Sequence, residues 1–325
     1  MKILIYSFND KIGDGLQKVT FIQQLKKIYP TSHITYTTTN QTTFKDYLKP
    51  LVQNYIDEII EDNGIKSSLF NLFKKNKVFH NKSYDLIIDL QKVFLRTLQL
   101  KRIKNKKFFS TSANFFFSNY KNSLNLPFKN IYIENFYMNI LSILTNSTIK
   151  KIPNILIPKT NQNLIKLDKG SKLKIGIAPG AGDPIREWGF ENYLNIAKYL
   201  RNEGFNIYFF LGPNEKKYLE GCISNNFECP EWNDGEFITN NVLDIMNLAK
   251  EMDCLLCNDG GTSWMFEFAG VQTFKIFGIT NERKFSRPGY STTIQVKEFG
   301  YTDIKKFPVD LYKKELIKFI NKIKV

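Results

Sequence analysis

The chain has 325 residues, of which 42% are hydrophobic and 24% are charged, which is typical of a soluble globular protein with room for two domains. Its 46 basic and 31 acidic residues give a net charge of +15. Such a surface suits a nucleic acid, an anionic lipid surface or a phosphorylated substrate. The sequence contains no apolar run long enough to predict a transmembrane helix. The first predicted strand, residues 2–6, is followed at once by polar residues, so we expect no signal peptide and a cytoplasmic protein.

Strand and helix patterns alternate through the N-terminal half and predict a parallel sheet with helices on its faces. The predicted strands are residues 2–6, 33–38, 55–60, 84–90 and 107–111, and the predicted helices are residues 15–28 and 130–145. A polar stretch without a period follows, and its prolines indicate a linker over residues 153–163.

The alternating pattern restarts after this linker. The predicted strands are residues 173–178, 206–212, 253–257 and 273–278, and the predicted helices are residues 190–203, 214–224 and 262–269, with residues 241–251 leading into the third strand. We therefore predict an N-terminal domain at 1–158, a C-terminal domain at 159–308 and a basic amphipathic helix at 309–325 that packs back on the N-terminal domain. In open sheets of this kind the ligand lies beyond the carboxyl ends of the strands, here in a cleft between the domains.

Two of the four cysteines, Cys254 and Cys257, have the spacing of half a zinc site. They fall in a pattern that predicts a buried strand, where residues i and i+3 point to opposite faces. The two thiols therefore cannot easily share a metal ion, and reduced core cysteines are the better interpretation.

Two loops that follow predicted strands of the C-terminal half carry candidate binding residues. In the first, Gly180 and Ala181 would let the backbone approach a phosphate, and Arg186 could pair with phosphate oxygens. The alternative is an ordinary turn with a surface arginine. In the second, Glu215 could accept two hydroxyl hydrogen bonds from a ribose, or could be an acid of a first helical turn favoured by the helix dipole.

The third loop, residues 258–264, predicts a diphosphate site. Here a strand ends, Gly260 and Gly261 turn the chain, and a helix begins. The free N–H groups and the positive end of the helix would point at one place. The alternative is that Asp259 caps the helix beside a glycine turn.

In the N-terminal half, Asp14 follows the first predicted strand. Its carboxylate could take a proton from a hydroxyl group, or it could cap the helix that is predicted to begin near Gly15. The chain contains two histidines, His33 and His80, so a mechanism with a histidine base has few candidates.

Taken in order, these loops resemble glycosyltransferase family 9, the heptosyltransferases of lipopolysaccharide core synthesis. The resemblance covers nearly the whole chain and is carried by Ile12-Gly13-Asp14, residues 25–30, residues 84–91, Pro179-Gly180, Arg186 before Trp188, Glu215, Asp259 with Gly261, and Phe277-Gly278. It implies a GT-B fold, which is an α/β fold of two Rossmann-like domains whose parallel sheets face a central cleft. The acceptor would bind the N-terminal domain and the nucleotide-sugar donor the C-terminal domain.

The resemblance also implies an inverting, metal-independent transfer, without a cofactor, from a nucleotide-diphosphate sugar such as ADP-heptose to a lipid-linked saccharide. By the same resemblance Asp14 is the general base, and Arg186, at a position where the family usually has lysine, neutralises the leaving diphosphate. The implied donor-binding residues are Gly180, Ala181, Arg186, Glu215 at the ribose, Asp259, Gly260, Gly261, Thr262 and Trp264, and the implied acceptor-binding residues are Lys11, Gly13 and Gln91. Trp264 stands where the family usually has histidine, and its ring could stack on a sugar or a base.

Two other functions fit the same pattern. A nucleotide-sugar epimerase or hydrolase would act without an acceptor, and a non-catalytic protein would bind anionic polymers through its basic face. The sequence contains no recognised nucleic-acid module, which argues against a nucleic-acid partner. The basic patch at residues 101–107 could be an ordinary solvated surface. Alternatively, this patch and the basic C-terminal helix together could attach the protein to the cytoplasmic face of the inner membrane.

Overall fold

The computed structural model describes residues 1–149, 155, 157–160, 172–239 and 241–323. The chain divides into two compact units, Met1–Pro153 and Asn154–Val325, so the division falls slightly before the predicted boundary. Each unit is built on a five-stranded sheet, and all paired neighbours in these sheets run parallel. The predicted α/β class is therefore confirmed. The predicted linker lies mostly outside the described residues.

The sheet of the first unit has a strand order that reverses at its centre. Its elements are β1 (Lys2–Ser7), α1 (Ile12–Ile28), β2 (His33–Thr38), α2 (Lys49–Val52), β3 (Glu58–Ile60), α3 (Leu69–Phe73), β4 (Ser83–Asp89), α4 (Phe94–Lys101), β5 (Lys104–Ser110) and α5 (Ile133–Thr145). The order across the sheet is β3-β2-β1-β4-β5. Because the order reverses between β1 and β4, the loops after these two strands form the crevice in which such sheets bind ligands.

The second unit repeats this architecture with a different order. Its elements are β6 (Lys174–Ala178), α6 (Phe190–Asn202), β7 (Asn206–Phe209), α7 (Leu219–Ile223), β8 (Trp232–Asn233), β9 (Glu236–Phe237), α8 (Val242–Ala249), β10 (Cys254–Asn258), α9 (Gly261–Ala269), β11 (Gln272–Phe277), α10 (Glu282–Phe285), β12 (Ser291–Gln295) and α11 (Val309–Ile323). The order of the large sheet is β12-β11-β10-β6-β7, with β8 and β9 in a separate hairpin. The crevice of this sheet therefore lies between the loops after β6 and β10.

The sequence did not predict several short elements, and two of them, β12 and α4, show why. The edge strand β12 reads Ser-Thr-Thr-Ile-Gln, and its first three residues are half-buried. An edge strand has one neighbour and needs less apolar sequence than a central one. Helix α4 is eight residues long and buries Thr97 and Leu100, so its pattern is too short to stand out in the sequence.

The C-terminal helix α11 belongs to the core of the second unit. Its buried residues, Tyr312, Leu316, Phe319 and Ile320, recur at helical spacing and join the core cluster of that unit. The ring of Tyr312 stacks on Trp188 at a centroid distance of 4.2 Å. The apolar stripe of this helix is therefore buried within the second unit, and its packing on the N-terminal domain stays a prediction.

The cysteines are core residues, as the strand pattern predicts. Cys254 and Cys257 lie in β10 and, like Cys222 and Cys229, are buried and free. Burial raises the pKa of both β10 thiols, which keeps them protonated at neutral pH.

We expect the core contact of α11 to stabilise the second unit. Leu316→Ala removes a side chain that is 0% exposed and should lower the free energy of unfolding by about 2–5 kcal/mol. The adjacent control, Ile317→Ala, truncates a side chain that is 40% exposed and should cost about 1 kcal/mol or less. Urea unfolding of both variants tests this, and equal losses would contradict the described packing.

Candidate functional site

Asn258 joins the two loops that form the crevice of the second unit. It is the last residue of β10 and is 1% exposed. Its amide nitrogen donates to the carbonyl oxygen of Pro179 at 2.6 Å. Its amide oxygen accepts from the backbone N–H of Trp188 at 3.0 Å and from the hydroxyl of Tyr193 at 3.1 Å. The start and the end of the loop after β6 are therefore both fixed to the end of β10.

Glu187, a residue of the same loop, stabilises it by hydrogen bonds. Its carboxylate accepts a hydrogen bond from the backbone N–H of Ala181 at 3.3 Å and another from the hydroxyl of Tyr218 at 3.0 Å. The first bond spans the loop, and the second reaches the 3-10 turn that follows β7. Predicted site residue Ala181 thus has a fixed backbone position.

The predicted residue Glu215 belongs to the 3-10 turn after β7 and packs against the loop after β6 at Gly180. A Cβ atom placed on Gly180 or on Gly212 would collide with its carboxylate, so a side chain at either position would displace Glu215. Burial, followed by the negative charge of Glu187, raises the pKa of Glu215. The structure therefore brings Gly180 and Glu215 into direct contact, and leaves Glu215 half-buried as an acceptor at the crevice.

Arg186, on the loop after β6, contacts Asp259, on the loop after β10, so this pair links the two loops of the crevice. An Nη atom of Arg186 lies 3.4 Å from a carboxylate oxygen of Asp259, and the two side chains are 25% and 3% exposed. The alternative in which Asp259 caps the following helix is wrong, because the N-cap position is Gly260, and no side chain caps α9. Asp259 instead orients the guanidinium group.

The N-terminus of α9 opens towards the loop after β6. A Cβ atom on Gly260 would lie 3.6 Å from the carbonyl oxygen of Gly180 and 3.7 Å from the Cα of Ala181. The hydroxyl of Ser263 donates back to the carbonyl of Gly260 at 2.8 Å. Gly261 and Thr262 occupy the first turn and are half-buried. Backbone N–H groups and the positive end of the helix therefore lie beside Gly180, as an anion site requires.

Trp264 does not line the crevice. Its ring is 2% exposed, stacks on Phe268, and lies with its centroid 4.6 Å from Nζ of Lys275. Lys275 in turn lies 2.8 Å from a carboxylate oxygen of Glu267, and both of these side chains are fully buried. The prediction that Trp264 stacks on a sugar or a base is corrected, because its ring is buried and packs against Phe268 and Lys275.

In the first unit, Asp14 lies in the first turn of α1. The helix begins at Ile12, so Asp14 does not cap it, and the N-cap residue Lys11 makes no side-chain cap. Lys11 is exposed, whereas Gly13 and Asp14 are half-buried. The predicted residues Lys11, Gly13 and Asp14 are therefore together at the carboxyl edge of the sheet.

A buried ion pair holds this helical turn. Nζ of Lys18 lies 2.7 Å from Asp10 and donates to the backbone carbonyl of Asp14 at 2.9 Å. The other carboxylate oxygen of Asp10 accepts from the hydroxyls of Tyr36 and Thr42. Burial opposes the charge of Asp10, but Lys18 and the hydroxyl donors outweigh it and lower the pKa of this carboxyl. Lys18 thus fixes the backbone on which Asp14 is carried.

The loop after β4 lies beside the loop after β1. Strand residues Tyr6 and Asp89 are paired, and the guanidinium carbon of Arg96 lies 3.7 Å from the ring centroid of Phe8. The predicted residue Gln91 donates its backbone N–H to Asp89 at 2.9 Å. The structure therefore places Gln91 at the same edge of the sheet as Asp14.

Asp89 is a buried carboxyl at this edge. It accepts hydrogen bonds from the hydroxyls of Thr97 at 2.7 Å and Ser110 at 2.8 Å. Burial nevertheless raises its pKa to about 6, because these donors only partly replace the lost solvation.

Sequence reasoning missed four residues of the two crevices, namely Asn258, Glu187, Asp10 and Lys18. Asn258 carried a weak signal, since it is the polar residue that ends the apolar run of β10. Lys18 carried none, because a lysine in a basic chain is normally exposed.

Comparison with known proteins identifies the family and the fold of the chain. The family model for glycosyltransferase family 9 (heptosyltransferase) matches residues 72–307. A search of curated protein sequences finds no match.

Solved structures share the fold. A glycosyl transferase family 9 protein from Veillonella parvula is 18% identical, with a TM-score of 0.68 over 99% of this chain and 96% of its own. E. coli heptosyltransferase WaaC with ADP-2-deoxy-2-fluoro heptose is 12% identical, with a TM-score of 0.65 over 98% and 99% of the two chains. E. coli ADP-heptose lps heptosyltransferase II is 16% identical, with a TM-score of 0.63 over the full length of both chains. The predicted GT-B class and family resemblance are confirmed.

Replacement of Asn258 should loosen the crevice of the second unit. Asn258→Ala leaves the carbonyl of Pro179 and the N–H of Trp188 without a partner, and should lower the free energy of unfolding by about 3 kcal/mol. The control Asn247→Ala removes a half-buried amide that also bonds to two backbone carbonyls, and should cost about 1 kcal/mol or less. Denaturant unfolding compares the two, and a neutral Asn258→Ala would contradict the proposed role.

Asp89 should make stability depend on pH. Because its folded-state pKa of about 6 lies above its unfolded value, the folded protein binds the proton more tightly, and stability rises as the pH falls through 6. Between pH 7.5 and 4.5 this gain should be about 2 kcal/mol. Urea unfolding at both pH values should show the gain in the natural protein relative to Asp89→Asn. An identical pH dependence in both proteins would contradict a raised pKa.

Proposed function

The chain belongs to glycosyltransferase family 9, and on that premise we propose that it moves a sugar from a nucleotide diphosphate to a saccharide acceptor, with inversion and without a metal ion. The observation that carries this proposal is the crevice of the second unit. There Arg186, Glu215 and the uncapped N-terminus of α9 converge around Gly180.

The diphosphate of the donor fits the positive side of this crevice. The guanidinium group of Arg186 has five N–H donors, and it makes one 3.4 Å contact with Asp259. The remaining donors and the first N–H groups of α9 would bind diphosphate oxygens. Glu215, on the other side of Gly180, would accept hydrogen bonds from the ribose. These groups are held by Asn258 and Glu187, so they need little rearrangement when charge develops on the leaving group.

Asp14 would act as the general base. Its carboxylate takes the proton of an acceptor hydroxyl while the hydroxyl oxygen forms a bond to the anomeric carbon. The bond from that carbon to the diphosphate breaks on the opposite face, which inverts its configuration, and the electron pair leaves with the nucleoside diphosphate. Fixed positive charge from Arg186 and α9 stabilises this leaving group, which is the task a metal ion would otherwise perform.

For the substrates, we propose an ADP-heptose-like donor and a lipid-linked or lipopolysaccharide-core acceptor. Solved structures with the same fold include E. coli heptosyltransferase WaaC with ADP or with an ADP-heptose analogue, and an E. coli ADP-heptose lipopolysaccharide heptosyltransferase. Among the described residues, no helix is long and apolar enough to cross a bilayer. We place the enzyme at the cytoplasmic face of the inner membrane, where such an acceptor is presented.

Nucleotide binding tests the donor site. Calorimetric titration with ADP, GDP, UDP and CDP, without added metal, should show binding of one of them, with ADP expected. Arg186→Ala should weaken this binding by at least about tenfold, since a charge-assisted bond is worth about 1.5–3 kcal/mol. The control Arg283→Ala, which changes an exposed arginine in the same unit, should bind as the natural protein does. No binding of any nucleotide would refute the transferase and favour an anion-binding protein.

Transfer activity tests the base. Asp14→Asn should reduce turnover by at least about 100-fold and leave nucleotide binding unchanged. The control Asp46→Asn, at an exposed carboxylate of the same unit, should retain turnover. Normal turnover of Asp14→Asn would show that the base is another group, and product formed from the donor alone would favour an epimerase or hydrolase.

A further inference from the structure

An apolar surface is exposed on the first unit. Four large side chains form it, and we call them the aromatic face: Leu69 is 64% exposed, Phe70 80%, Phe94 50% and Phe116 79%. Residues of this type are normally buried, and an exposed group of them marks an interaction site.

The aromatic face is continuous, because its elements pack on one another. The rings of Phe94 and Phe116 both contact Phe117, at centroid distances of 5.4 Å and 5.0 Å. Helix α3, which carries Leu69 and Phe70, packs against α4, which carries Phe94. The segment before α3 is also tied to α4, since the side-chain amide of Gln99 exchanges hydrogen bonds with the backbone of Lys66.

The sequence around the aromatic face is basic throughout. Residues 63–84 contain five lysines and no carboxylate, and residues 90–133 contain nine lysines and arginines and no carboxylate. Ion pairs engage Lys82 and Lys106, with Glu58 and Asp85. Lys66, Lys74, Lys75 and Lys77, which flank α3, are all exposed. The partner of this surface must therefore be both apolar and anionic.

We propose that the aromatic face docks on an anionic phospholipid bilayer. Phenylalanine and leucine side chains enter the boundary between headgroups and acyl chains, and the flanking lysines pair with lipid phosphates. One weak apolar contact does not hold a protein on a membrane, but several combined with a basic cluster do. A protein partner would instead need carboxylates placed against these lysines.

The aromatic face lies at the carboxyl edge of the first sheet. Phe94 begins α4 directly after β4, and Phe116 lies in the loop that follows β5. Asp14 follows β1 at the same edge. Docking by this face would bring that edge to the membrane, where a lipid-linked acceptor is held, and this last step rests on the proposed function.

This surface differs from the one that the sequence predicted. The apolar stripe of α11 is buried in its own unit, so only the polar side of this helix is left to contact a membrane. The basic patch at residues 101–107 runs from the end of α4 into the start of β5, whereas Phe94 and Phe116 lie beyond the ends of β4 and β5. The positive charge of the aromatic face is therefore supplied by the exposed lysines that flank α3.

Vesicle flotation with the full chain tests the proposal. The natural protein should float with vesicles that contain phosphatidylglycerol and stay in solution with phosphatidylcholine alone. Phe70→Ser combined with Phe116→Ser should weaken flotation by at least about tenfold. Lys74→Gln combined with Lys75→Gln should weaken it by about fivefold or more and reduce its dependence on salt.

The second unit offers a matched control. Ile223 and Ile279 are 58% and 64% exposed, and their replacement by serine should leave flotation unchanged. A natural protein that stays in solution with both kinds of vesicle, or an aromatic-face variant that floats as well as the natural protein, would overturn the proposal.

Fluorescence locates the contact directly. The three native tryptophans are buried, with exposures of 0%, 6% and 2% for Trp188, Trp232 and Trp264. In a Phe116→Trp variant, the added indole should shift to shorter wavelength and be quenched by brominated acyl chains when vesicles are present. An unshifted and unquenched emission in a protein that floats would place the contact elsewhere and overturn the proposal.

Two further readouts separate the alternatives. If sedimentation velocity shows that the natural protein self-associates and that Phe70→Ser with Phe116→Ser dissociates it without vesicles, the face is an interface between copies and the proposal is wrong. Nucleotide titration of the same variant should match the natural protein. A chain that floats through this face but binds no nucleoside diphosphate would refute the proposed function and support the membrane-docking surface. A chain that binds a nucleoside diphosphate but does not float would support the proposed function and refute the docking surface.

Discussion

The crevice of the second unit depends on the three hydrogen bonds of one amide side chain. Asn258 ends β10, and from there it binds the first and the last part of the loop after β6. Trp188, at the end of that loop, donates its indole N–H to Phe307 and stacks on Tyr312 of α11. Packing at the far end of the chain is thereby transmitted to the loop that carries Gly180 and Arg186.

Both units fix a helix at the crevice with a buried ion pair. In the first unit Lys18 of α1 pairs with Asp10, and in the second Glu267 of α9 pairs with Lys275 of β11. A buried ion pair adds little net stability because desolvation is costly, but separating its two charges would leave each of them buried without a partner. Apolar contacts would allow a helix to slide by fractions of an ångström. The ion pairs therefore set where the first turns of α1 and α9 stand, and those turns carry Asp14 and the anion-binding N–H groups.

The sequence predicted much of the fold because the central strands are uninterrupted apolar runs that end in turn residues, as in Leu86-Ile87-Ile88 before Asp89. It could not predict β12, whose residues are polar because the strand lies at an edge. Within the site, glycines and Arg186 were predictable from loop chemistry after strands. The burial of Trp264 could not be predicted. It depends on contacts with Phe268 and Lys275 and on the pair that Lys275 forms with Glu267, and these residues come together only when α9 packs on β11.

The buried thiols of the second unit have a practical consequence for optical studies. All four native cysteines are buried in the folded chain, and the pKa values of those in β10 are raised. A maleimide dye reacts with an accessible thiolate, so it should leave these residues unmodified. A single cysteine introduced at an exposed position on each unit could then be labelled without removing any native one. Energy transfer between two such dyes would report, molecule by molecule, how the separation of the two units changes when a nucleotide is added.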